Sequence, residues 1–404
     1  MQIINIGELA GIAPAGMVRR QGAEMSQTGI LRDAWLRIEG GRIAGFGPMG
    51  EMPGGAREEV VDAQGGMVMP AFCDSHTHVV YAGSRDGEFL DKIEGLSYEQ
   101  IAARGGGILN SADLLHRTSE EELFAQSLPR VLEMMAKGTG SLETKSGYGL
   151  NPADELKMLR VIRRIRESVP AQVRATFLGA HAVGRGYTHE AYVQAVIDMM
   201  PDAAPLADFV DVFCDEGFFT PEDTDRILAA GARLGLRPKI HANELAVSGG
   251  VQAGVARGAL SVDHLERTTE AEIDALRGTE TMPVMLPGTS FFLGIPYARA
   301  KDFIAAGLGI ALASDYNPGS SPAGDMRFVM ALGCIRMRLT PVQAFNAVTL
   351  NGAYALGLGA ETGSVTPGKR ADLILTHPGW TLTRLPYYHQ TPFIRRVYLG
   401  GEPL

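Results

Sequence analysis

Two histidines separated by a single residue, His76 and His78, end an apolar stretch of the sequence. Val68, Phe72 and Cys73 in that stretch predict a short buried strand. Because side chains alternate across a strand, both imidazoles should point to the same face. Two neighbouring imidazoles form half of a transition-metal site, but hydrogen-bonded surface histidines show the same spacing. The chemistry therefore depends on whether later parts of the chain supply more ligands.

Further potential ligands lie where later strand-like stretches end. The chain has nine histidines, and five of them occupy predicted strand ends: His76, His78, His181, His241 and His264. Asp315 ends the last such stretch. Three imidazoles and one carboxylate suit zinc or iron, because Mg²⁺ and Ca²⁺ prefer mostly oxygen ligands. We therefore predict one divalent metal ion, zinc or iron, with a coordination position left for water. Its predicted ligands are His76, His78, His241 and Asp315.

The elements that would position these ligands alternate between strand and helix. After the strand that ends at the histidine pair, apolar stretches predict seven more strands, at residues 140–146, 173–181, 209–215, 239–243, 260–264, 282–286 and 309–315. Helices with capping signals separate several of them, for example at Ser119 with Glu122 and at Asn151 with Pro152. This alternation predicts an α/β fold, a (β/α)₈ TIM-like barrel whose reacting groups lie at the C-terminal ends of the strands.

The two ends of the chain have a different pattern. Short alternating segments separated by glycine pairs, such as Gly40 with Gly41, predict β-hairpins, and similar segments return at 371–376 and 393–401. We therefore predict a small β-sandwich domain formed by both chain ends, residues 1–67 plus 360–404. The barrel would occupy residues 68–359.

The composition is that of an acidic globular protein. With 404 residues and 45% hydrophobic content, the chain can bury a large core. Its 46 acidic and 37 basic residues give a net charge of −9, which argues against nucleic acid or an anionic membrane as a partner. Three distant cysteines, the lack of a signal-like N-terminus and the lack of a long apolar run predict a cytoplasmic protein with reduced thiols.

Longer motifs in the chain resemble the metal-dependent amidohydrolases. They run from His76 to Arg85 and then lie at 143–149 (Glu-Thr-Lys-Ser-Gly-Tyr-Gly), 179–181 (Gly-Ala-His), 241–245 (His-Ala-Asn-Glu-Leu), 263–266 (Asp-His-Leu-Glu) and 314–322. The match covers essentially the whole chain. Many members of this superfamily hold two metals bridged by a carboxylated lysine on the fourth strand. The stretch 209–215 has no lysine, so we expect a single ion, with Lys145 on the second strand as the alternative bridge.

The most specific motifs resemble one branch of the superfamily and imply its activity. That activity is hydrolysis of the cyclic amide of 4-imidazolone-5-propanoate to N-formimidoyl-L-glutamate in histidine degradation, by attack of a metal-bound hydroxide. Arg85 would then bind the propanoate carboxylate in a bidentate manner, with a salt bridge to Asp86 or Glu88 as the alternative. The Tyr148 hydroxyl would reach the ring or the carboxylate, unless this tyrosine is simply packed. His181 would donate to a ring heteroatom.

The same resemblance implies roles for residues near the predicted metal. The turn with Asn317, Gly319 and Ser320 would hold the glutamate end of the product. Glu244 and Asp315 are the candidate proton carriers, and Glu244 would also contact the substrate. His264 would stabilise the oxyanion from outside the metal shell, although it could instead complete that shell. Spacing does not decide which of these groups is the general base.

Two rival functions remain open at this level. A deaminase of a small heterocycle uses nearly the same ligands but releases ammonia. A non-catalytic relative that keeps the barrel for assembly would not require a complete ligand set. Related enzymes are often homodimers, and the helix patterns do not decide the oligomeric state.

Overall fold

The computed structural model describes residues 1–53, 59–96, 100 and 106–404. Its strands are β1 (Gln2–Ile12), β2 (Gly29–Glu39), β3 (Arg42–Pro48), β4 (Val60–Asp62), β5 (Gly66–Pro70), β6 (Phe72–Asp74), β7 (Thr139–Lys145), β8 (Gln172–Ala180), β9 (Phe209–Cys214), β10 (Arg237–Pro238), β11 (Ile240–Ala242), β12 (Ser261–His264), β13 (Met282–Met285), β14 (Ala311–Leu312), β15 (Leu373–Pro378), β16 (Ile394–Leu399) and β17 (Glu402–Pro403). These strands form two sheets.

Helices surround the strands and fill the connections between them. They are α1 (Asp86–Ile93), α2 (Ile108–Arg117), α3 (Glu120–Ala136), α4 (Pro152–Ser168), α5 (His189–Ala203), α6 (Pro221–Arg233), α7 (Gly250–Ala256), α8 (Glu270–Leu276), α9 (Pro287–Leu293), α10 (Ala300–Ala305), α11 (Met326–Ile335), α12 (Pro341–Val348), α13 (Leu350–Ala355) and α14 (Arg384–Tyr387). Short 3₁₀ helices lie at Gly22–Ser26, Met49–Glu51 and Ala204–Leu206. Among the helices in the described part of the chain, none has the length and apolar character that crossing a membrane requires.

The larger sheet is the predicted barrel. Its strands pair in parallel in the order β6-β7-β8-β9-β11-β12-β13-β14, with the two-residue β10 beside β9. A parallel bridge between Thr77 and Tyr316 closes the ring just beyond β6 and β14. At this seam the His78 N–H donates to the Tyr316 carbonyl at 2.9 Å, and the Asp315 N–H donates to the His76 carbonyl at 3.0 Å. The closure therefore brings both histidines of the pair next to Asp315.

The structure changes the first and last predicted strands. The stretch predicted as a single first strand is divided, because Val68 lies in β5 of the other sheet while Phe72 and Cys73 lie in β6. The two histidines therefore lie beyond the strand and not on it. The eighth strand was predicted over 309–315 but contains only Ala311 and Leu312. Shorter strands leave irregular backbone at the rim, where it can take the conformations that the site needs.

The smaller sheet joins both ends of the chain, as predicted. Its strand order is β17-β16-β15-β5-β1-β2-β3, and β4 pairs with β1. Strands β2 and β3 form the predicted hairpin, with Glu39 opposite Arg42 and a turn at Gly40 and Gly41 with φ of 54° and 75°. Two consecutive positive φ values are what a tight hairpin turn requires, and glycine adopts them without strain. The division of the chain at 67/68 and 359/360 stays a prediction.

The helix starts follow the capping signals in the sequence. Helix α3 begins after Ser119, which accepts from the Glu122 N–H in a reciprocal capping box. Asn151 caps α4 by accepting from the Asp154 N–H, with Pro152 in the first turn. Each cap satisfies backbone N–H groups that have no partner inside the helix, which fixes where the helix begins.

Candidate active site

Four side-chain atoms converge at the C-terminal mouth of the barrel. His76 Nε2 lies 3.2 Å from His78 Nε2, which lies 3.4 Å from His241 Nε2. Asp315 Oδ1 is 3.5 Å from the Nε2 atoms of both His76 and His78. A tetrahedral zinc ion with ligands at about 2.0–2.1 Å separates neighbouring ligand atoms by roughly 3.3–3.4 Å. The spacing and chemistry of these donors therefore fit a single divalent ion.

The imidazoles are in the form that binds metal. Burial lowers the pKa of His76 and His78 well below the usual value, and it lowers the pKa of His241 to about 3. A neutral imidazole has one nitrogen with a lone pair and one with a proton. His76 Nδ1 lies 2.6 Å from Asp263 Oδ2, and His241 Nδ1 lies 3.0 Å from Asp211 Oδ2. These carboxylates keep the protons on Nδ1, so the Nε2 lone pairs face the site.

A buried ionic network lies beneath the ligands. Lys145 Nζ is 2.7 Å from Glu143 Oε1 and 2.8 Å from Asp211 Oδ2, and Lys239 Nζ donates to Glu143 and, at 2.9 Å, to the Ser75 carbonyl. The ionic side chains of this network are fully buried. Burial alone would lower the pKa of Lys145, but Asp211 and Glu143 raise it above the usual value. Lys145 is therefore held as an ammonium, which disfavours it as a carboxylated bridge between two metals.

Replacing Lys145 with methionine is expected to destabilise the fold strongly. The change takes the lysine partner away from the buried Asp211 carboxylate and leaves Glu143 with Lys239 alone, and breaking a buried pair in this way costs about 3–5 kcal/mol. Denaturant unfolding followed by circular dichroism measures the loss. The control is Lys137→Met, which breaks the exposed pair with Glu133 and should cost roughly 0.3–0.5 kcal/mol. Equal losses in both variants would contradict the proposed importance of the network.

A second group of ionisable side chains lies beside the ligands. His264 Nε2 is 3.7 Å from Glu244 Oε2, and His264 Nδ1 is 3.4 Å from Glu266 Oε2. Burial opposes protonation of His264, but Glu244 and Glu266 raise its pKa to about 10. His264 also lies close enough to His76 and His241 to serve as a nitrogen ligand. The raised pKa favours the role of a hydrogen-bond donor over that of a ligand.

The backbone at the site is held in unusual conformations. Asn243, His264 and Asp315 have φ values of 61°, 85° and 52°, in the left-handed region that non-glycine residues rarely adopt. Such residues cluster at functional sites, where surrounding contacts enforce them. Asp215, at the end of β9, provides one such contact, because its carboxylate accepts from the backbone N–H groups of residues 244, 245 and 246 at 2.8, 2.9 and 3.0 Å. This bracing fixes the loop that carries Glu244.

A cavity of about 730 Å³ opens above the ligands. All of the predicted substrate-contacting residues line it: Arg85, Tyr148, His181, Glu244, Asn317, Gly319 and Ser320. His78, His241, His264 and Asp315 form its floor. The structure therefore brings the predicted residues together around one cavity, and their roles in binding and catalysis stay predictions.

The geometry favours a different role for His181 than the one predicted. His181 Nδ1 lies 3.0 Å from the Gly147 carbonyl, which can only accept, so Nδ1 carries the proton. Burial lowers the pKa of His181 to about 4, so the ring is neutral and its Nε2 has no proton. Nε2 can therefore accept a hydrogen bond from a ligand N–H, in place of the donor role expected from the sequence.

The turn after Asp315 uses its polar groups internally. Asn317 Oδ1 accepts from the N–H groups of Gly319 and Ser320, both at 2.8 Å, and Asn317 Nδ2 donates to the Asp315 carbonyl at 2.7 Å. Thr289 Oγ1 donates to Asp315 Oδ2 at 2.5 Å. These bonds orient Asp315 toward the histidines. Contacts from the two amides to a product would require the turn to rearrange.

Arg85 forms the salt bridge that was the alternative to carboxylate binding. Its Nε and Nη2 donate to Glu88 Oε2 at 2.9 and 2.6 Å. Asp86, the other acidic candidate, bonds instead to the Ser84 hydroxyl. Arg85 still lines the cavity, but two of its three nitrogens already hold a carboxylate.

Several residues around the site were missed by sequence reasoning. Lys145 was considered only as a bridge between metals and Lys239 was not considered, although a lysine within a predicted buried strand is a signal that could have indicated an internal ion network. Glu266 lies two residues past His264 and was quoted without a role. Lys92 lines the cavity from helix α1, where a lysine normally faces solvent, so no pattern distinguishes it.

Comparison with known proteins supports the class of enzyme. A family model described as "Amidohydrolase family" matches residues 220–403. An adenosine deaminase from Xanthomonas campestris with bound zinc has a TM-score of 0.73 at 18% identity, covering 100% of this chain and 92% of its own. A triazine hydrolase variant has a TM-score of 0.77 at 14% identity, covering 100% and 94%. The fold and the ligand set define a metal-dependent hydrolase of the amidohydrolase superfamily.

Closer relatives identify the family within that class. An imidazolonepropionase from Flavobacterium johnsoniae is 49% identical over 405 residues, which is 99% of this chain and 98% of the relative. The imidazolonepropionase from Geobacillus kaustophilus is 40% identical and covers 98% of this chain and 94% of its own. The chain belongs to the imidazolonepropionase family. The resemblance based on the motifs is thereby confirmed.

Proposed function

We propose that this protein hydrolyses the cyclic amide of 4-imidazolone-5-propanoate to N-formimidoyl-L-glutamate. One observation carries the proposal: at the floor of the cavity, His78 Nε2 lies 3.2 Å from His76 Nε2 and 3.4 Å from His241 Nε2, and Asp315 Oδ1 lies 3.5 Å from the Nε2 atoms of His76 and His78. The relatives with 40–49% identity over nearly the full chain carry the name of this activity. The complete ligand set argues against a relative that only assembles.

We propose a single zinc or iron ion as the cofactor, held by His76, His78, His241 and Asp315. A divalent ion at this position lowers the pKa of water and polarises a carbonyl, which supplies the nucleophile and part of the oxyanion stabilisation. The ammonium state of Lys145 and the lack of a lysine on β9 support one ion over two. The choice between zinc and iron is left to measurement, because both accept this ligand set.

Side chains around the metal position orient the substrate and stabilise the charge that develops on it. Tyr148 is only 4% exposed and lies beside His181, with ring centroids 5.6 Å apart, so the two can orient the substrate ring. The His181 Nε2 accepts a ring N–H. The His264 imidazolium donates to the carbonyl oxygen, where negative charge develops as water adds. Together these contacts place the amide carbon of the ring over the ligands.

We assign the proton transfer to Glu244. Asp315 has one oxygen among the ligand atoms and accepts from Thr289 with the other, so neither oxygen is placed to move a proton. Burial raises the pKa of Glu244 to about 7, which suits a group that both takes and gives a proton near neutrality. Glu244 takes a proton from the attacking water and delivers it to the ring nitrogen as the C–N bond breaks. Water is thus added across the amide and ammonia is not released.

The test of the function is loss of the absorbance of 4-imidazolone-5-propanoate with purified protein, with N-formimidoyl-L-glutamate identified by mass spectrometry. We expect both, and no ammonia. Release of ammonia from this substrate or from an aminated heterocycle, without ring opening, would replace the proposal with a deaminase.

Metal removal gives a separate prediction. We expect about one zinc or iron ion per chain, loss of activity on dialysis against a chelator, and recovery when a single equivalent of either ion is restored. Elemental analysis by mass spectrometry, together with the assay, measures both. A ratio near two ions per chain would overturn the single-ion proposal.

We also propose that the protein works in the cytoplasm. Cys73, Cys214 and Cys334 form no disulfide in the structure, as expected of a reducing compartment. A homodimer stays an open alternative to a monomer, and size-exclusion chromatography with light scattering decides between them.

A further inference from the structure

The cationic end of the cavity contains more positive charge than the Arg85–Glu88 pair suggests. Arg85 donates hydrogen bonds from two of its nitrogens, Nε and Nη2, to Glu88 Oε2. The other oxygen, Glu88 Oε1, accepts from the Gly107 N–H at 3.0 Å. Arg85 and Glu88 therefore cancel each other in charge. Lys92 lies on the same helix, α1, and also lines the cavity. Two cations and one carboxylate among the described residues leave one positive charge at this end.

Among the described residues, the closest contacts of the Lys92 ammonium are a backbone carbonyl and an aromatic ring. Its Nζ donates to the Gly319 carbonyl at 2.7 Å and lies 5.2 Å from the centre of the Phe292 ring. In the part of the chain that the structure describes, no carboxylate forms an ion pair with this ammonium. An ammonium has three hydrogens to donate, and the contact with Gly319 uses one. Burial and the nearby Arg85 lower the pKa of Lys92, while Glu88 acts in the opposite direction.

Arg85 and Lys92 meet at Gly319. A methyl group added at Gly319 would collide with Nη1 of Arg85, so this guanidinium approaches the same residue whose carbonyl binds Lys92. A carboxylate placed beside Gly319 would thus lie between an ammonium and a guanidinium. The apolar ring of Phe292 on one side keeps the ammonium partly out of water, which strengthens its attraction for an anion.

We propose that Lys92 is a specificity-determining residue that selects a substrate with a carboxylate on its side chain. The inference rests on the proposed function, and it adds that the excess charge comes from Lys92 while Arg85 remains paired with Glu88. Lys92 receives the propanoate through its ammonium, and the Gly319 carbonyl holds that ammonium in place. Substrates whose side chain is neutral gain nothing from this contact.

The first test compares two substrates in wild type and Lys92→Met. The variant keeps the length of the side chain and removes the charge. On 4-imidazolone-5-propanoate we expect kcat/KM to fall about 10- to 100-fold, mainly through KM, the range for loss of a hydrogen bond to a charged group. On the uncharged analogue 4-imidazolone-5-propanamide we expect a change of less than about threefold, since no ionic contact is lost. Lys92→Arg should recover most of the activity on the anionic substrate.

A purely structural role for Lys92 gives a different result. If the lysine only held the Gly319 turn, Lys92→Met would reduce activity on both substrates by the same factor, and that outcome overturns the inference. Unchanged activity on the anionic substrate overturns it as well. Lys137→Met, on the exposed end of helix α3, controls for the general effect of losing one positive charge, and thermal melting checks that each variant folds.

A binding measurement separates this inference from the proposed function. The probe is 3-(imidazol-4-yl)propanoate, a ring with the same carboxylate chain but without an amide to hydrolyse. Calorimetry should show at least about tenfold weaker binding to Lys92→Met than to the wild type. If the wild type fails to hydrolyse 4-imidazolone-5-propanoate, the proposed function fails, while the difference in binding still decides the role of Lys92. Equal binding to both proteins refutes it.

Discussion

Asp315→Asn is expected to reduce kcat by about 10³-fold, the upper end of the range for loss of one electrostatic group in an active site. The substitution keeps the shape of the side chain but removes the negative charge from the ligand set. Three neutral imidazoles then face the ion with no carboxylate to balance it. We therefore expect metal content to fall well below that of the wild type, as measured by elemental analysis after dialysis.

A second variant, Thr289→Val, perturbs Asp315 less than Asp315→Asn does and makes the prediction specific. Thr289→Val removes the 2.5 Å hydrogen bond to Asp315 Oδ2 but leaves the carboxylate in place. Loss of such an outer partner typically costs roughly 10- to 100-fold in metal affinity or activity. In their metal-free forms, both variants should unfold at a denaturant concentration close to that of the metal-free wild type. This comparison checks that neither substitution disturbs the fold. An Asp315→Asn variant that keeps full metal content and activity would remove Asp315 from the proposed ligand set.

The meeting of the candidate ligands at one place could be predicted because the barrel fold converts sequence order into position. Polar residues at the ends of parallel strands meet at one mouth, so His241 on β11 could be matched to the histidine pair without knowing any distance. Local signals were equally informative, as at the glycine pair of the β2–β3 hairpin and at the Ser119 cap of α3. These features depend only on backbone chemistry close in sequence or on the topology of the fold.

Other features depend on contacts that the sequence does not display. The division of the first predicted strand could not be foreseen, since Val68 and Phe72 are equally apolar and only the packing assigns them to different sheets. The tautomer of His181 depends on the Gly147 carbonyl from another strand end. Lys145 and Lys239 are partners of the same Glu143, and the pairing of Lys239 with a residue of β7 becomes visible only when the barrel closes.

Glu244→Gln is expected to reduce kcat by about 10²- to 10⁴-fold while leaving metal content unchanged, because general acid–base catalysis contributes on that scale. The glutamine fills the same space and can still accept a hydrogen bond, but it cannot take a proton from water. Glu244 lies three residues past His241 on a loop that Asp215 braces through three backbone N–H groups, so the loop itself should not move. KM should change little.

The pH profile and a matched control decide whether Glu244 is the group that moves the proton. Burial raises the pKa of Glu244 to about 7 against the opposing charge of His264, so the wild-type rate should fall as the pH drops below neutrality and this carboxylate becomes protonated. Glu244→Gln should lose that acidic limb. Glu216→Gln makes the same chemical change in the wall of the same cavity and should behave like the wild type. If Glu244→Gln instead keeps both its rate and its acidic limb, the proton passes through another group, Asp315 or His264, and the assignment of proton transfer to Glu244 is wrong.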